Sequence, residues 1–264
     1  MSAMQVGLQL YTLRDEMAAD AEGTLRKVAA LGYAGVEFAG YHGMSASDIR
    51  SLLDELGMVA IGSHVGLDSI RGNLQGEIDF LKTIGGSYLV CPYISVQEMK
   101  NERDWTELFS LFQETGEITR KQGLQFGYHN HDFEFLAHVR DQFVFDALYS
   151  STTSDAVQVE MDVCWVQFAG QDPIAYIKKY ANRLPLLHLK DFSKDQEGKL
   201  KTLELGQGVV QLADVIGASS ESGVRWLIVE QDNCQNPPLQ SVENSMSWLV
   251  KHGFQAYTLK ERSN

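Results

Sequence analysis

Short apolar runs rich in β-branched and aromatic residues recur eight times along the chain, and nothing else in the sequence restricts the fold as strongly. The runs cover residues 6–10, 35–38, 59–62, 87–91, 124–129, 157–162, 184–190 and 226–230, with centres 24 to 41 residues apart. A hairpin needs only a few residues between strands, whereas a parallel crossover needs a dozen or more, usually a helix. The intervening stretches do read as helices. Residues 24–31 end at Gly32 and residues 47–56 at Gly57, each with glycine where a helix C-terminus favours a left-handed residue. Residues 104–122, closed by Gly123, place Leu108, Leu111, Phe112 and Ile118 on about one face, and Asp172 precedes Pro173 as a cap precedes a first helical turn. Eight such units with no break in composition predict an α/β fold, a single (β/α)8 TIM barrel domain over residues 1–264, with residues 254–264 outside the repeat. An open doubly wound sheet is disfavoured, because no GxGxxG turn follows the first run.

In such a barrel the C-terminal ends of the strands carry the active site, and side chains two apart on a strand point the same way. Four consecutive runs end in polar pairs at that spacing: His129 and His131, Glu160 and Asp162, His188 and Lys190, Glu230 and Asp232. One such pair is what any strand shows on leaving a core. Four converging pairs supply the mixed nitrogen and oxygen donors that suit Mn²⁺, Co²⁺, Zn²⁺ or Fe²⁺, where an all-oxygen set would suit Mg²⁺ or Ca²⁺. A cation would also relieve the mutual repulsion of the carboxylates. His129 and His131 compete for one ligand position, with His129 preferred because it follows its strand directly. Glu160 lies two residues deeper than Asp162 and is a ligand, a base or a buried partner of Lys190, which in turn acts on substrate or pairs with Asp191. His64, Glu37, Trp165 and Tyr11 stand at or just beyond strand ends, where substrate contact is expected. Of the cysteines, Cys91 before Pro92 is the one expected nearest the pocket.

With 35 acidic against 22 basic residues the formal charge is −13, so a nucleic-acid backbone or an anionic membrane would repel the protein at long range. Three widely spaced cysteines form neither a disulfide framework nor a CxxC zinc knuckle, which fits a reducing cytoplasm. Residues 1–10 lack a signal-peptide pattern, and no run approaches the ~20 apolar residues of a membrane helix, so neither secretion nor membrane insertion is expected.

Four segments, Tyr128-His129-Asn130-His131-Asp132-Phe133-Glu134-Phe135, Glu160-Met161-Asp162-Val163-Cys164-Trp165, Leu187-His188-Leu189-Lys190-Asp191 and Val229-Glu230, make the chain resemble the sugar phosphate isomerase/epimerase-like family. These are the xylose isomerase-like barrels that include ketose 3-epimerases, inosose dehydratase and endonuclease IV. The resemblance covers nearly the whole chain. It implies one divalent metal ion (Mn²⁺, Co²⁺, Zn²⁺, Fe²⁺ or Mg²⁺) held by residues from strands five to eight. Matched motif by motif, those are Asp162, His188 and Glu230, with His129 where ketose epimerases carry Glu, a pattern nearer to inosose dehydratase. Trp165 stands where the epimerases have a histidine, so their two-glutamate mechanism does not carry over intact. Glu230 keeps its place, and the second base is missing or supplied by His131, Glu134, Glu160 or Lys190. The expected catalytic set is therefore Glu160, His131 and Lys190, with substrate contacts from His64, Trp165 and Glu37.

The expected activity is isomerisation or epimerisation of a small keto-sugar through an enediolate, with dehydratase or other lyase action as the alternative, since both begin by removing a proton beside a metal-polarised carbonyl. An endonuclease IV-like phosphodiesterase is disfavoured by the charge and by the lack of the extra histidines of a multinuclear cluster, and a barrel that only binds sugar is the remaining reading. No glycine-rich anion loop with a following Lys or Arg is evident, which points to an unphosphorylated sugar or cyclitol. The resemblance also allows a homodimer, although no interface signature stands out.

Overall fold

In the computed structural model, which describes residues 4–256, each of the eight apolar runs contributes one strand of a closed parallel barrel. The strands in chain order are β1 (Gln5–Gln9), β2 (Gly35–Phe38), β3 (Val59–His64), β4 (Tyr88–Cys91), β5 (Gln125–His129), β6 (His138–Val139), β7 (Gln142–Phe143), β8 (Val157–Asp162), β9 (Leu186–Leu189), β10 (Asp191–Lys194), β11 (Leu200–Leu203) and β12 (Trp226–Val229). The barrel runs β1-β2-β3-β4-β5-β8-β9-β12 and closes on β1. The helices are α1 (Arg14–Ala19), α2 (Ala21–Ala30), α3 (Ala46–Leu56), α4 (Leu67–Ile84), α5 (Glu102–Lys121), α6 (Val144–Ser151), α7 (Val163–Phe168), α8 (Pro173–Lys179), α9 (Leu212–Ser222) and α10 (Pro238–Lys251).

The helix ends follow local chemistry. Ser45 Oγ accepts the Asp48 N–H ahead of α3, which stops at Gly57 with φ of 61°, a conformation glycine adopts without steric cost. Asp172 accepts the Ile174 N–H ahead of α8. In α5 the buried face differs from the expected one, which included Ile118. Its buried face runs through Trp105, Leu108, Phe109, Phe112, Thr115 and Thr119, while Ile118 is 41% exposed. Six residues beyond Phe112 is a rotation of about 240° past a full turn, which carries Ile118 off the stripe.

Two antiparallel hairpins, β6–β7 and β10–β11, were not expected from the sequence. Their strands of two to four residues are too short to show an alternation. Both follow barrel strands, β5 and β9, and so belong to the C-terminal face. Residues 254–256 follow α10 as irregular chain, as expected; residues 1–3 and 257–264, parts of the N-terminal and tail segments considered above, lie outside the described residues. Among the described residues no helix is long and apolar enough to cross a membrane.

Inside the barrel the inward-facing residues form two layers. The lower is apolar: Ile61, Tyr88, Val90, Leu186, Trp226 and Ile228 pack as a cluster separate from the main core between strands and helices. Gly35 makes room for the indole there, since a Cβ at that position would sit 3.1 Å from Trp226 Cη2 and 2.8 Å from the Val59 carbonyl oxygen. The upper layer is polar. Register sets the change: Ile228 lies beside His188, His188 beside Asp162, and Glu160 beside both Leu186 and His129. Two residues further along β9 and β12, from Leu186 to His188 and from Ile228 to Glu230, the lining passes from hydrocarbon to ionisable groups.

Candidate metal centre

At the C-terminal end of the barrel, β5, β8, β9 and β12 bring His129, Asp162, His188 and Glu230 together, with one ligating atom from each within 4.8 Å of the others. His188 Nδ1 is 2.9 Å from Glu230 Oε2, and His129 Nε2 is 3.8 Å from Asp162 Oδ2. All four are buried, Asp162 and His188 completely. Lys190 reaches in from the end of β9, its Nζ 2.8 Å from Asp162 Oδ2, 2.8 Å from Glu230 Oε2 and 3.1 Å from Asp232 Oδ2.

A second group lies deeper. His64 Nε2 is 2.8 Å from Glu160 Oε2 and 3.2 Å from Glu37 Oε2; His129 Nδ1 is 3.1 Å from Glu160 Oε2, and His188 Nε2 is 2.9 Å from Glu37 Oε2. Gln9 Nε2 donates to Glu37 Oε2 at 2.8 Å.

The electrostatics of so many buried charges are settled by their neighbours. Burial opposes ionisation of Glu230 and Glu37, yet the cations beside them hold both well below the usual carboxylate range: Lys190 and His188 for Glu230, His64 and His188 for Glu37. At Asp162 burial wins over Lys190 and pushes the carboxyl up to about 6. Burial also pulls His64 down, but Glu37 and Glu160 carry it up to about 10. His131 goes the other way, to about 3, because burial and the Lys190 ammonium disfavour its cationic form. Its Nδ1 is buried with no hydrogen-bond partner among the described residues, as are Oε1 of Glu37 and of Glu160.

The donor set fits a divalent cation. Among the described residues the Lys190 ammonium faces three carboxylates, Asp162, Glu230 and Asp232, while Glu37 and Glu160 rest on imidazoles that take up protons. A cation bound by His129, Asp162, His188 and Glu230 would replace that protonic charge with two oxygen and two nitrogen donors, a borderline set.

Beside this group opens a cavity of about 410 Å³, lined by Tyr11, His64, Tyr93, His131, Asp232 and the edges of His129 and Glu230, among others. His64 and His131 thus reach it, as does Tyr11. Glu37 and Glu160 do not: both are fully buried beneath the imidazoles, so the expected substrate contact of Glu37 and substrate-side chemistry of Glu160 are at odds with their placement. Lys190 is held one step back, behind Asp232 and Glu230, and its alternative partner Asp191 instead accepts the backbone N–H groups of Phe192, Gly206, Gly208 and Val210. Trp165 is only partly buried, its ring 5.3 Å from that of His131 and 5.7 Å from Lys190 Nζ. Cys91 is turned away from the cavity, which Pro92 lines; its thiol contacts the Tyr93 carbonyl and burial pushes it up to about 12. Gln9 and Tyr93 escaped the sequence reading of the site. Gln9 was signalled only by a lone amide inside an apolar run, and Tyr93 only by an aromatic two residues past a strand end.

The description "Xylose isomerase-like TIM barrel" belongs to the family model that matches residues 25–252. An inosose dehydratase from Clostridium beijerinckii is 26% identical over 218 residues, 76% of this chain but 65% of its own length, so the chain spans less than two thirds of that relative. A crystal structure of a sugar phosphate isomerase/epimerase from Parabacteroides distasonis superposes with a TM-score of 0.78 at 25% identity, covering 94% of each chain. An IOLI protein with a bound zinc atom has the same fold, with a TM-score of 0.76 at 15% identity over 97% of this chain and 100% of that one.

Proposed function

The chain belongs to the xylose isomerase-like TIM barrel family, and from that premise we propose that it is a divalent-metal-dependent enzyme that removes the proton beside the carbonyl of a small, unphosphorylated keto-sugar or keto-cyclitol, leading to isomerisation or epimerisation. The observation that carries this reading is the convergence of His129, Asp162, His188 and Glu230 beside the cavity. A cation held there would polarise a carbonyl and acidify the neighbouring C–H.

The remaining chemistry falls to the chain's own groups. Of the cavity residues outside the tetrad, His131 and Asp232 are the ones able to take a proton from carbon. His131 is neutral at neutral pH, with a free ring nitrogen. Asp232 is kept close to Lys190, whose ammonium stabilises negative charge along that edge. Tyr11 and Tyr93 present aromatic surface and hydroxyls to a polyol. Among the described residues no lysine or arginine lines the cavity, which gives a phosphate no direct cationic partner there; Arg14 nearby donates from Nη1 to the carbonyls of Tyr11 and Asp232.

Dehydration is the second reading, favoured by Trp165. Inversion at one carbon calls for proton carriers on both faces of the substrate, and the place where ketose epimerases carry a histidine holds an indole here. Loss of a β-hydroxyl needs only one carrier, which returns its proton to the leaving oxygen as water departs. The inosose dehydratase relatives point the same way.

Proton NMR in D₂O with a panel of free ketoses and inososes tests both. Deuterium entering beside the carbonyl, abolished by EDTA and restored by Mn²⁺ or Co²⁺, is the expected result, and the products separate isomerisation from dehydration. Metal-loaded protein that exchanges no proton in any member of the panel would overturn the proposal.

A further inference from the structure

The two histidines of the proposed metal centre each face both the outer tetrad and the deeper polar group. His129 turns Nε2 toward Asp162 and Nδ1 toward Glu160 Oε2, the latter at 3.1 Å. His188 turns Nδ1 toward Glu230 and Nε2 toward Glu37 Oε2, each at 2.9 Å. An imidazole binds a cation only through a nitrogen without a proton, so the one proton of the neutral ring must sit on the other nitrogen. In both rings that other nitrogen meets a fully buried carboxylate.

Resting on the metal reading above, we infer that Glu160 and Glu37 are positioning residues that each hold one metal-binding imidazole in its productive tautomer, Glu160 through His129 Nδ1–H and Glu37 through His188 Nε2–H. Such carboxylate–histidine–metal arrangements orient the ring and make the ligating nitrogen a stronger donor. The carboxylates are themselves braced. His64 bridges them through Nε2, and Gln9 donates to Glu37 while its own Oε1 accepts the Tyr11 N–H. This explains why two glutamates sit fully buried below a site they cannot touch from the cavity side.

The competing use of the inner group is as the cation site itself, because His64, His129, Glu160 and His188 also bring ligating atoms within 4.8 Å of one another. Two observations weigh against it. A cation there would take His129 Nδ1 and His188 Nε2, leaving the outer carboxylates without an imidazole lone pair unless both rings lost their last proton. It would also have Glu160 as its one carboxylate ligand, whereas the outer group offers two, Asp162 and Glu230, to balance a divalent charge.

The test uses the full chain reconstituted with Zn²⁺ and compares wild type with Glu160→Gln and Glu37→Gln by metal content, by affinity in chelator competition and by ¹⁵N-histidine NMR. Wild type is expected to bind one equivalent, with the proton on Nδ1 of His129 and on Nε2 of His188. Each variant is expected to lose about 10- to 100-fold in Zn²⁺ affinity. Affinities within about threefold of wild type in both variants, or a proton on His129 Nε2, would overturn the inference while leaving the metal centre standing. Two equivalents in wild type, one of them lost in Glu160→Gln, would overturn it in favour of an inner cation. Wild type that binds no metal would remove the metal reading itself, and this inference with it. Should either variant fail to fold, the ring protonation pattern of wild type decides alone.

Discussion

Lys190 shows how much one side chain can carry when its surroundings are buried. Its ammonium is the one fixed cation among Asp162, Glu230 and Asp232, and removing one partner of a buried ion pair typically costs about 3–5 kcal/mol because the other charge is left unpaired. Lys190→Met is therefore expected to lower the thermal stability of the metal-free protein strongly, and saturating Mn²⁺ or Zn²⁺ should recover part of the loss by supplying the missing positive charge; scanning calorimetry with and without metal checks both. Glu134 is the complementary case. Burial pushes its carboxyl up to about 8, against the pull of Tyr128 and the His131 N–H. A carboxyl raised on folding contributes stability that is full below its unfolded value and lost as pH rises toward the folded value, by up to about 1.4 kcal/mol per pH unit. Glutamine mimics the protonated acid, its oxygen accepting from His131 N–H and its amide facing Tyr128. Denaturant titrations between pH 5 and 8 should thus find the stability of Glu134→Gln gaining on wild type as pH rises, whereas a constant gap would mean that Glu134 is already ionised across that range.

At the scale of elements, α5 offers the sharpest contrast. Phe112 is fully buried against the rings of Phe126 and Tyr128, while Ile118 faces solvent. Phe112→Ala is expected to cost about 3–5 kcal/mol through lost burial and an unfilled cavity, and Ile118→Lys less than about 0.5 kcal/mol; urea unfolding distinguishes them. The β10–β11 hairpin and the loop after it depend on Asp191, whose two oxygens accept four backbone N–H groups. That arrangement holds the chain after β9 against the barrel mouth directly next to Lys190. The hairpin escaped the periodicity argument because its order comes from a side chain capping a loop, not from a repeating apolar face.

For the molecule as a whole, the charge of −13 and the polar layer act together. A negatively charged barrel whose cavity is lined, among the described residues, by no lysine or arginine should discriminate against anions. Once a substrate is found, its phosphate ester is expected to have a kcat/KM at least about tenfold lower at low ionic strength, a gap that narrows as salt screens the field. Steady-state kinetics at two salt concentrations would check this, and a phosphate ester that outperforms the free sugar would contradict the cavity argument.

The sequence by itself determined the barrel and the neighbourhood of the site. Strand spacing is a local property, so eight runs separated by helical stretches specify a parallel closed sheet, and the alternation of side chains brings the polar strand ends to one mouth. His129, Asp162, His188 and Glu230 could be singled out on those grounds, aided by motif resemblance. What each ionisable group does there was decided only by the tertiary structure. Glu37, His64 and Glu160 stand on three different strands, and whether a carboxylate meets substrate or the back of an imidazole depends on barrel register and on depth below the mouth. Burial, which turns His131 neutral and leaves Lys190 as counter-charge to three carboxylates, arises only when strands distant in the chain close around them.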